Sequence, residues 1–565
     1  MKVKVRENIV KSDILIVGGG IGGLQAAITA AKNGADVVIA EKADTRRSGS
    51  GATGNDHFMC YIPEIHGDDY DTILQEVMET LVGPWQDLDL VSLMMGRSFE
   101  VIQLWHSYGI DMKPTGKWNF EGHAMPGRRK YHLKYDGRNQ KPILTKEALK
   151  NGARIMNKTV VNELLTDNQG RVVGAIGINI SDEEQAEVII FQAKAVIVGT
   201  GHTVRMYPGQ NPAYEFNTAS CPADTGSGAA MAYRAGARLV NLDIPAVQAG
   251  PKLFARSGKA TWIGVLTDYY GKPLGPFVDK PSREYCDATS DIWREVFSEK
   301  LADGSGPVFM NCSETSEEDL DYMLHDAFVA EGDTSITDYL EQYDIDLRKS
   351  MIEFASFEYV FLGRGIDVDI KSMRSLQGLY AIGNSAGNVR GDITSAAVFG
   401  HVAAENACEY VKEVAEYDVK DHALIAEKIA LYEQICSRKE GAYWKEANST
   451  LQQIMNTYVG MNVRSETLMK SGIKYLSDLK RYSLAQLKAE TSHDLMRTLE
   501  VLDLIDYAQA TALMSENRKE SRGPHHKRSD YTYTNPLLNN KFQTICLTSE
   551  GPKMEFRDKR KRGVM

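Results

Sequence analysis

Asp13-Ile14-Leu15-Ile16-Val17-Gly18-Gly19-Gly20-Ile21-Gly22-Gly23 is an apolar strand that runs straight into a glycine-rich turn. Gly18, Gly20 and Gly23 give the spacing G-x-G-x-x-G, with Ile21 and Gly22 between the last two. Each glycine has a physical task in a dinucleotide-binding turn. Gly18 allows the tight turn, Gly20 lets the backbone approach a pyrophosphate, and Gly23 lets helix and strand pack closely. Leu24 to Lys32 reads as an Ala-rich helix whose N-terminal N–H groups face the phosphate. Ala35 to Ala40 reads as the second strand. Glu41 follows it, 23 residues after Gly18, where a carboxylate accepts ribose hydroxyls, and Lys42 comes next. Strand, helix and acidic residue in register with the glycines predict a βαβ start that binds a dinucleotide.

Around this nucleus lie 565 residues, enough for roughly three or four domain-sized units. The net charge of −11 argues against a nucleic-acid binder, which is normally basic. No run approaches the roughly 18 apolar residues of a membrane span. Met1 to Val10 is charged and lacks the apolar centre of a signal peptide. The expectation is a cytoplasmic protein without direct membrane insertion, associated with a membrane only through a partner. Cysteines at 60, 221, 286, 312, 408, 436 and 546 form no C-x-x-C pair. That spacing excludes the common ferredoxin and zinc patterns, so no metal ligands are assigned.

Periodicity organises the rest. Ile73, Val77 and Leu81, then Val101, Leu104 and Trp105, predict helices between 70 and 113. Val160 to Leu165 and Val172 to Ile180 flank the turn Asp167-Asn168-Gln169-Gly170 and read as a hairpin. Val188 to Gln192 and Ala195 to Val198 read as two more strands, the second ending in Gly199-Thr200-Gly201. The texture changes at 247, with loops and an acidic helical stretch from Ser313 to Tyr343. It returns to α/β character at 353, with a helix expected from about Ala396. The expected domains are 1–246 and 353–412 (nucleotide binding), 247–352 (an inserted cap), 413–530 (helical) and 531–565 (a hairpin and basic tail). The run Arg557 to Arg562 reads as a solvated tail. The stretch Trp118 to Lys134, with His123, Arg128, Arg129, Lys130 and His132, is either a solvated loop or a site for a phosphate- or sulfate-bearing substrate.

Eight ordered segments carry a resemblance. After the fingerprint come Arg47-Ser48-Gly49, Ala193 to Gly201, and Thr225-Gly226-Ser227-Gly228 with Ala232 to Ala237. Then follow Gly363-Arg364-Gly365-Ile366, Leu379 to Asn384, Arg390 to Gly400, and Glu520-Ser521-Arg522-Gly523-Pro524-His525. Together they resemble the fumarate reductase and succinate dehydrogenase flavoprotein superfamily, nearest to the adenylylsulfate reductase alpha subunit. The resemblance implies an α/β fold: a Rossmann-like FAD-binding domain of the glutathione-reductase type, an inserted α+β capping domain and a C-terminal helical domain. It implies FAD, held by Gly18, Gly20, Ile21, Gly22, Gly23, Glu41, Lys42, Arg47, Ser48, Gly49, Thr53, Gly54, Thr200, Gly201, Asp224, Gly383, Asn384, Arg390, Thr394, Ser395 and Ala396. Ser395 and Ala396 would start a helix whose positive end points at the pyrimidine edge of the flavin.

The departures bear on chemistry. Gly49 stands where some members carry the histidine that bonds FAD covalently, so non-covalent FAD is expected. The His-Pro-Thr of the dicarboxylate reducers is missing from Asp243 to Gly250. Candidates for catalysis are Arg390, a partner for an anionic substrate or reduced flavin, then Arg294 or Arg283, and His57. The resemblance implies a flavoprotein subunit that acts on a small anionic substrate and exchanges electrons with an iron–sulfur (ferredoxin-like) subunit, in an oligomer or hetero-complex. A stand-alone reductase or amino-acid oxidase and a non-catalytic electron relay remain alternatives.

Overall fold

The computed structural model describes residues 1–562 except 53, 80–82, 121–124, 210–215, 217, 219, 253, 255–259, 286, 294, 358, 461–462 and 524–525. Its centre is a mixed eight-stranded sheet. Val10–Val17 lies parallel to Val37–Ala40 on one side and to Gln185–Val198 on the other. Arg154–Met156 extends one edge, and the antiparallel hairpin Thr159–Thr166 and Val172–Asn179 the other. Ile14, Leu15 and Ile16 are wholly buried, as a near-continuous apolar run in a parallel sheet should be.

Gln185–Val198 is a single 14-residue strand rather than the two expected. The two readings split at Ala193-Lys194, where the strand changes partners. Its first half pairs with the hairpin and with Lys2–Val5, and its last residues with Val10–Val17 and Leu379–Ala381. Both sets of hydrogen bonds keep the backbone extended through the polar interruption.

Helix Ile21–Lys32 covers one face of the sheet and crosses helix Asp392–Glu413 closely. A Cβ at Gly22 would lie 2.8 Å from the Ala396 carbonyl oxygen, and one at Gly400 2.4 Å from that of Gly22. Glycine at both positions sets the distance between the helices. The longer helix starts at Asp392, not near Ala396, because Gly391 serves as its N-cap and the turn ahead of it is already held by the Arg390 N–H bond to Gln86 (2.7 Å).

A second apolar core, from Ala249 to Phe354, surrounds a four-stranded antiparallel sheet ordered 249–251, 352–356, 308–311, 265–267. It forms the cap. Four long helices follow: Ala423–Ser437, Trp444–Ile454, Glu466–Gln486 and Ser492–Asn517. The last starts at a Thr491/Asp494 capping box and docks through buried charges. Glu500 meets Lys42 at 2.9 Å, Arg205 at 3.2 Å and Arg497 at 2.7 Å.

The basic run near the end is not a solvated tail. Arg557 meets the buried Asp87 and Asp367, each at 2.7 Å, and Arg560 meets Asp89 at 2.7 Å. The hairpin Lys541–Thr548 and Gly551–Asp558 pairs with Leu239–Val240 and so delivers these arginines to carboxylates distant in sequence. The loop at 118–134 is also neutralised: Arg129 lies 3.3 Å from Glu76 and Arg128 3.6 Å from Glu79. His123 falls outside the described residues.

Candidate active site

The fingerprint is built as its spacing requires. A Cβ at Gly23 would sit 1.9 Å from the Gly18 carbonyl oxygen, and one at Gly18 2.5 Å from that of Gly199. Gly18 has φ +100° and brings the first turn against the second. At Gly20 a Cβ would meet nothing within 4 Å. Gly20 is the N-cap of helix Ile21–Lys32 and has no side-chain cap of its own, so this end presents N–H groups to open space. Glu41 lies beside it, its carboxylate accepting from the Gly19 N–H at 2.6 Å and the Ala43 N–H at 2.7 Å.

Lys141 gave no sequence signal, because it reads as one more lysine on a helix. It is 1% exposed, and its ammonium donates to the Gly19 carbonyl. Burial pulls it down to about 8 against the opposing charges of Glu41 and Asp44.

The second turn closes the trough. Thr200 Oγ lies 3.3 Å from Ser385 Oγ, and Ser385 donates to the Gly201 carbonyl at 3.1 Å. Gly201 has φ +82°, and a Cβ there would lie 3.2 Å from Asp224. Lys42 donates to the Ala223 carbonyl, next to Asp224. Gly383 has φ +54°, and a Cβ there would lie 3.2 Å from Ala396, which puts Asn384 near the start of helix Asp392–Glu413. Gly49 has φ +79°, and a Cβ there would lie 3.3 Å from Gly20 Cα. Arg47 is exposed, and Thr53 is outside the described residues. Ser395 Oγ donates to the Asp392 carbonyl at 3.0 Å.

Several buried polar atoms along this trough have no hydrogen-bond partner among the described residues: Ser48 Oγ, Asn384 Oδ1, Thr394 Oγ1, one Asp224 oxygen and both His202 nitrogens. Native proteins rarely leave such atoms unpaired. Together with the open side of Gly20 they fit a long polar ligand with phosphate and hydroxyl groups, as a dinucleotide has.

At the other end two arginines face each other. Arg390 has a 12% exposed side chain, and its Nε lies 3.5 Å from Asp392. Arg364 is 3% exposed and donates only to carbonyls among the described residues, those of Ile244 (2.6 Å), Leu362 (3.1 Å) and Gly363 (3.2 Å). Burial, then the charge of Arg390, pulls Arg364 down to about 9. Arg364 thus carries a buried guanidinium held by main-chain carbonyls, with the charge of Arg390 close enough to act on it. Sequence reading met Arg364 only as part of the matching segment Gly363 to Ile366 and gave it no role of its own.

His57 stands at the seam between the FAD-type domain and the cap. Its Nδ1 lies 2.6 Å from Asp56. The carboxyl of Glu331, from the cap, completes a group whose ligating atoms all lie within 4.8 Å of one another. Glu331 accepts from the Thr261 N–H at 2.8 Å. Burial and the charge of Asp56 push its carboxyl well above the usual range, against the hydrogen bonds from Thr261. Gly54, at φ +128°, lets the loop touch the cap, with a Cβ there only 2.6 Å from the Ala330 carbonyl oxygen. Arg283 lies elsewhere on the cap, its guanidinium on Asp319 (2.9 Å) and Glu318 (2.6 Å) and over the Tyr322 ring. Arg294 is outside the described residues.

The chain matches a family model described as FAD binding domain over residues 13–393, and one described as fumarate reductase flavoprotein C-term over 448–561. It is 24% identical to one of the subunits of the fumarate reductase (CoM/CoB) of Methanothermobacter marburgensis, covering 95% of this chain and 99% of that one. It is 28% identical to the alpha subunit of the adenylylsulfate reductase of Megalodesulfovibrio gigas over 34% of this chain and 32% of that one. Among solved structures, adenylylsulfate reductase from Archaeoglobus fulgidus superposes with a TM-score of 0.83 at 22% identity, covering 99% and 96% of the chains. No helix among the described residues is long and apolar enough to cross a membrane.

Proposed function

We propose, for a chain that belongs to the FAD binding domain family and is an FAD-dependent oxidoreductase, that it is the flavoprotein subunit of a two-component reductase. It acts on a small anionic substrate and exchanges electrons with an iron–sulfur partner, in the manner of adenylylsulfate reductase. The observation that carries this reading is the Arg364–Arg390 pair, a concentration of positive charge at the end of the cofactor trough. Several relatives are named as subunits, which supports a hetero-complex. The missing His-Pro-Thr favours a substrate other than a plain dicarboxylate.

When bound, FAD supplies two-electron chemistry at its N5. The protein binds, orients and supplies charge. Arg390, less tied to main chain than Arg364, is the group free to turn toward an anion, and Arg364 fixes the potential around it. The start of helix Asp392–Glu413 adds N–H groups aimed at developing negative charge. Gly49 favours non-covalent binding, because its left-handed φ, and a Cβ that would lie 3.3 Å from Gly20, leave no relaxed place for a histidine. Glu331, beside His57, is the proton source we assign to the cleft.

The test follows flavin absorbance anaerobically, titrating the oxidised FAD-loaded protein with sulfite and then with sulfite plus AMP, and the dithionite-reduced protein with fumarate. Bleaching that requires AMP beside sulfite, lost in Arg390→Ala, supports the reading. Reoxidation of the reduced flavin by fumarate favours a stand-alone dicarboxylate reductase. No response to any small anion favours a relay.

A further inference from the structure

His202 is 3% exposed, and neither ring nitrogen has a hydrogen-bond partner among the described residues. An imidazole always carries at least one N–H donor, and when neutral an acceptor as well, so both needs are unmet inside the protein. Its nearest charged neighbour is Asp224, 3.7 Å from Nδ1, and one Asp224 oxygen also lacks a hydrogen bond. The imidazole and that carboxylate oxygen face one another across 3.7 Å, too long for a direct hydrogen bond. Such a gap suits a ligand group that both donates and accepts, and a hydroxyl does so.

Their position says which part of a ligand. His202 directly follows the Gly199-Thr200-Gly201 turn, which touches the fingerprint at Gly18 and the Gly383 turn through Ser385. Asp224 feels Lys42 and Glu41, at the ribose end of the trough. His202 follows Gly201, whose carbonyl takes the Ser385 hydroxyl, and Ser385 belongs to the Gly383 turn beside the start of helix Asp392–Glu413, at the other end. The pair therefore stands midway, where FAD carries a chain of hydroxyls between its pyrophosphate and its ring.

We propose that His202 and Asp224 form a cofactor-binding pair that hydrogen-bonds the hydroxylated ribityl segment of FAD. The imidazole is neutral there: burial lowers its proton affinity, Arg390 lowers it further, and Asp224 and Asp392 oppose without reversing the direction. A neutral ring donates to one oxygen and accepts from one hydroxyl. This assignment rests on the FAD site described above.

The experiment strips FAD from the full chain and measures rebinding of FAD and of ADP by fluorescence titration. His202→Ala should weaken FAD about tenfold or more while leaving ADP within about twofold, because ADP lacks the ribityl chain. His202→Asn, whose amide keeps a donor and an acceptor, should recover most of the loss. Unchanged FAD affinity in His202→Ala overturns the proposal, and so does a parallel loss of ADP, which would place His202 on the adenosine half. Should His202→Ala not fold, the wild type labelled with 15N-histidine gives an independent answer. A ring resonance missing from the His202→Asn spectrum should move on adding FAD and stay on adding ADP, and a resonance indifferent to FAD overturns the pair. Failure of the wild type itself to bind FAD would remove the underlying site instead.

Discussion

Two carboxylates line the cofactor trough, and their surroundings differ. Glu41 accepts from the main-chain N–H groups of Gly19 and Ala43, with Lys141 locked onto the same turn. Asp224 has an oxygen without a hydrogen bond and faces a histidine in the same condition. The first end is finished by the protein itself. The second is finished by what it binds. A stable turn and a receptive one are built from the same residue types, and the difference lies in whether backbone donors reach the side chain.

The largest break in this contrast should come from Gly23→Val. Its Cβ would overlap the Gly18 carbonyl oxygen at 1.9 Å, backbone against backbone. The expected cost is above about 4 kcal/mol, read as loss of cooperative melting. Gly20→Ala, with open space around its Cβ, should melt like the wild type yet bind FAD at least about tenfold more weakly. If both variants behave alike, the fingerprint has no division of labour.

Glu41→Ala should destabilise the FAD-free protein by about 2 kcal/mol, since the buried Gly19 N–H and the half-buried Ala43 N–H lose charge-assisted bonds. Urea denaturation of the FAD-free form measures it. A loss seen only with FAD present would place Glu41 with Asp224 rather than opposite it.

Lys141 gives a pH signature. Its affinity for the proton falls from the ordinary 10.5 to about 8 on folding. A lowered lysine means the unfolded chain binds the extra proton, so its penalty is fullest below pH 8 and is relieved as pH rises from 8 toward 10.5. The gap is worth at most about 3 kcal/mol. Lys141→Met should flatten the rise in stability across that window in denaturation curves taken from about pH 7 to 10. A curve parallel to the wild type would mean the ammonium is not desolvated.

The smallest change in stability belongs to Asp224→Asn. Burial pushes its carboxyl up, with His202 and Lys42 only partly opposing, so losing the charge should shift the FAD-free protein by less than about 1 kcal/mol. FAD affinity should still fall. A large loss of stability in calorimetry would show that Asp224, like Glu41, is a structural carboxylate.

Much of the fold was legible because its signals are short-ranged. The fingerprint, the hairpin at 159–179 and the helices after 423 follow from periods of two and 3.6 and from glycines at turns. The candidate site was legible only in part. Arg390 stood in a readable segment, whereas Arg364, His202 and Lys141 did not, since nothing in their neighbours along the chain says that they will be buried. The basic end misled for the same reason. A run of like charges reads as solvated until a hairpin carries it to Asp87, Asp89 and Asp367.

The sequence by itself determined the dinucleotide turn and the alternation of strands and helices around it. These depend on φ angles, close backbone approach and local periodicity, which a stretch of about 30 residues already specifies. The tertiary structure alone decided which charges are paired and which polar groups wait for a partner. Those properties depend on burial, and burial is set by residues hundreds of positions apart: Gly54 against Ala330, His57 beside Glu331, Arg557 on Asp87.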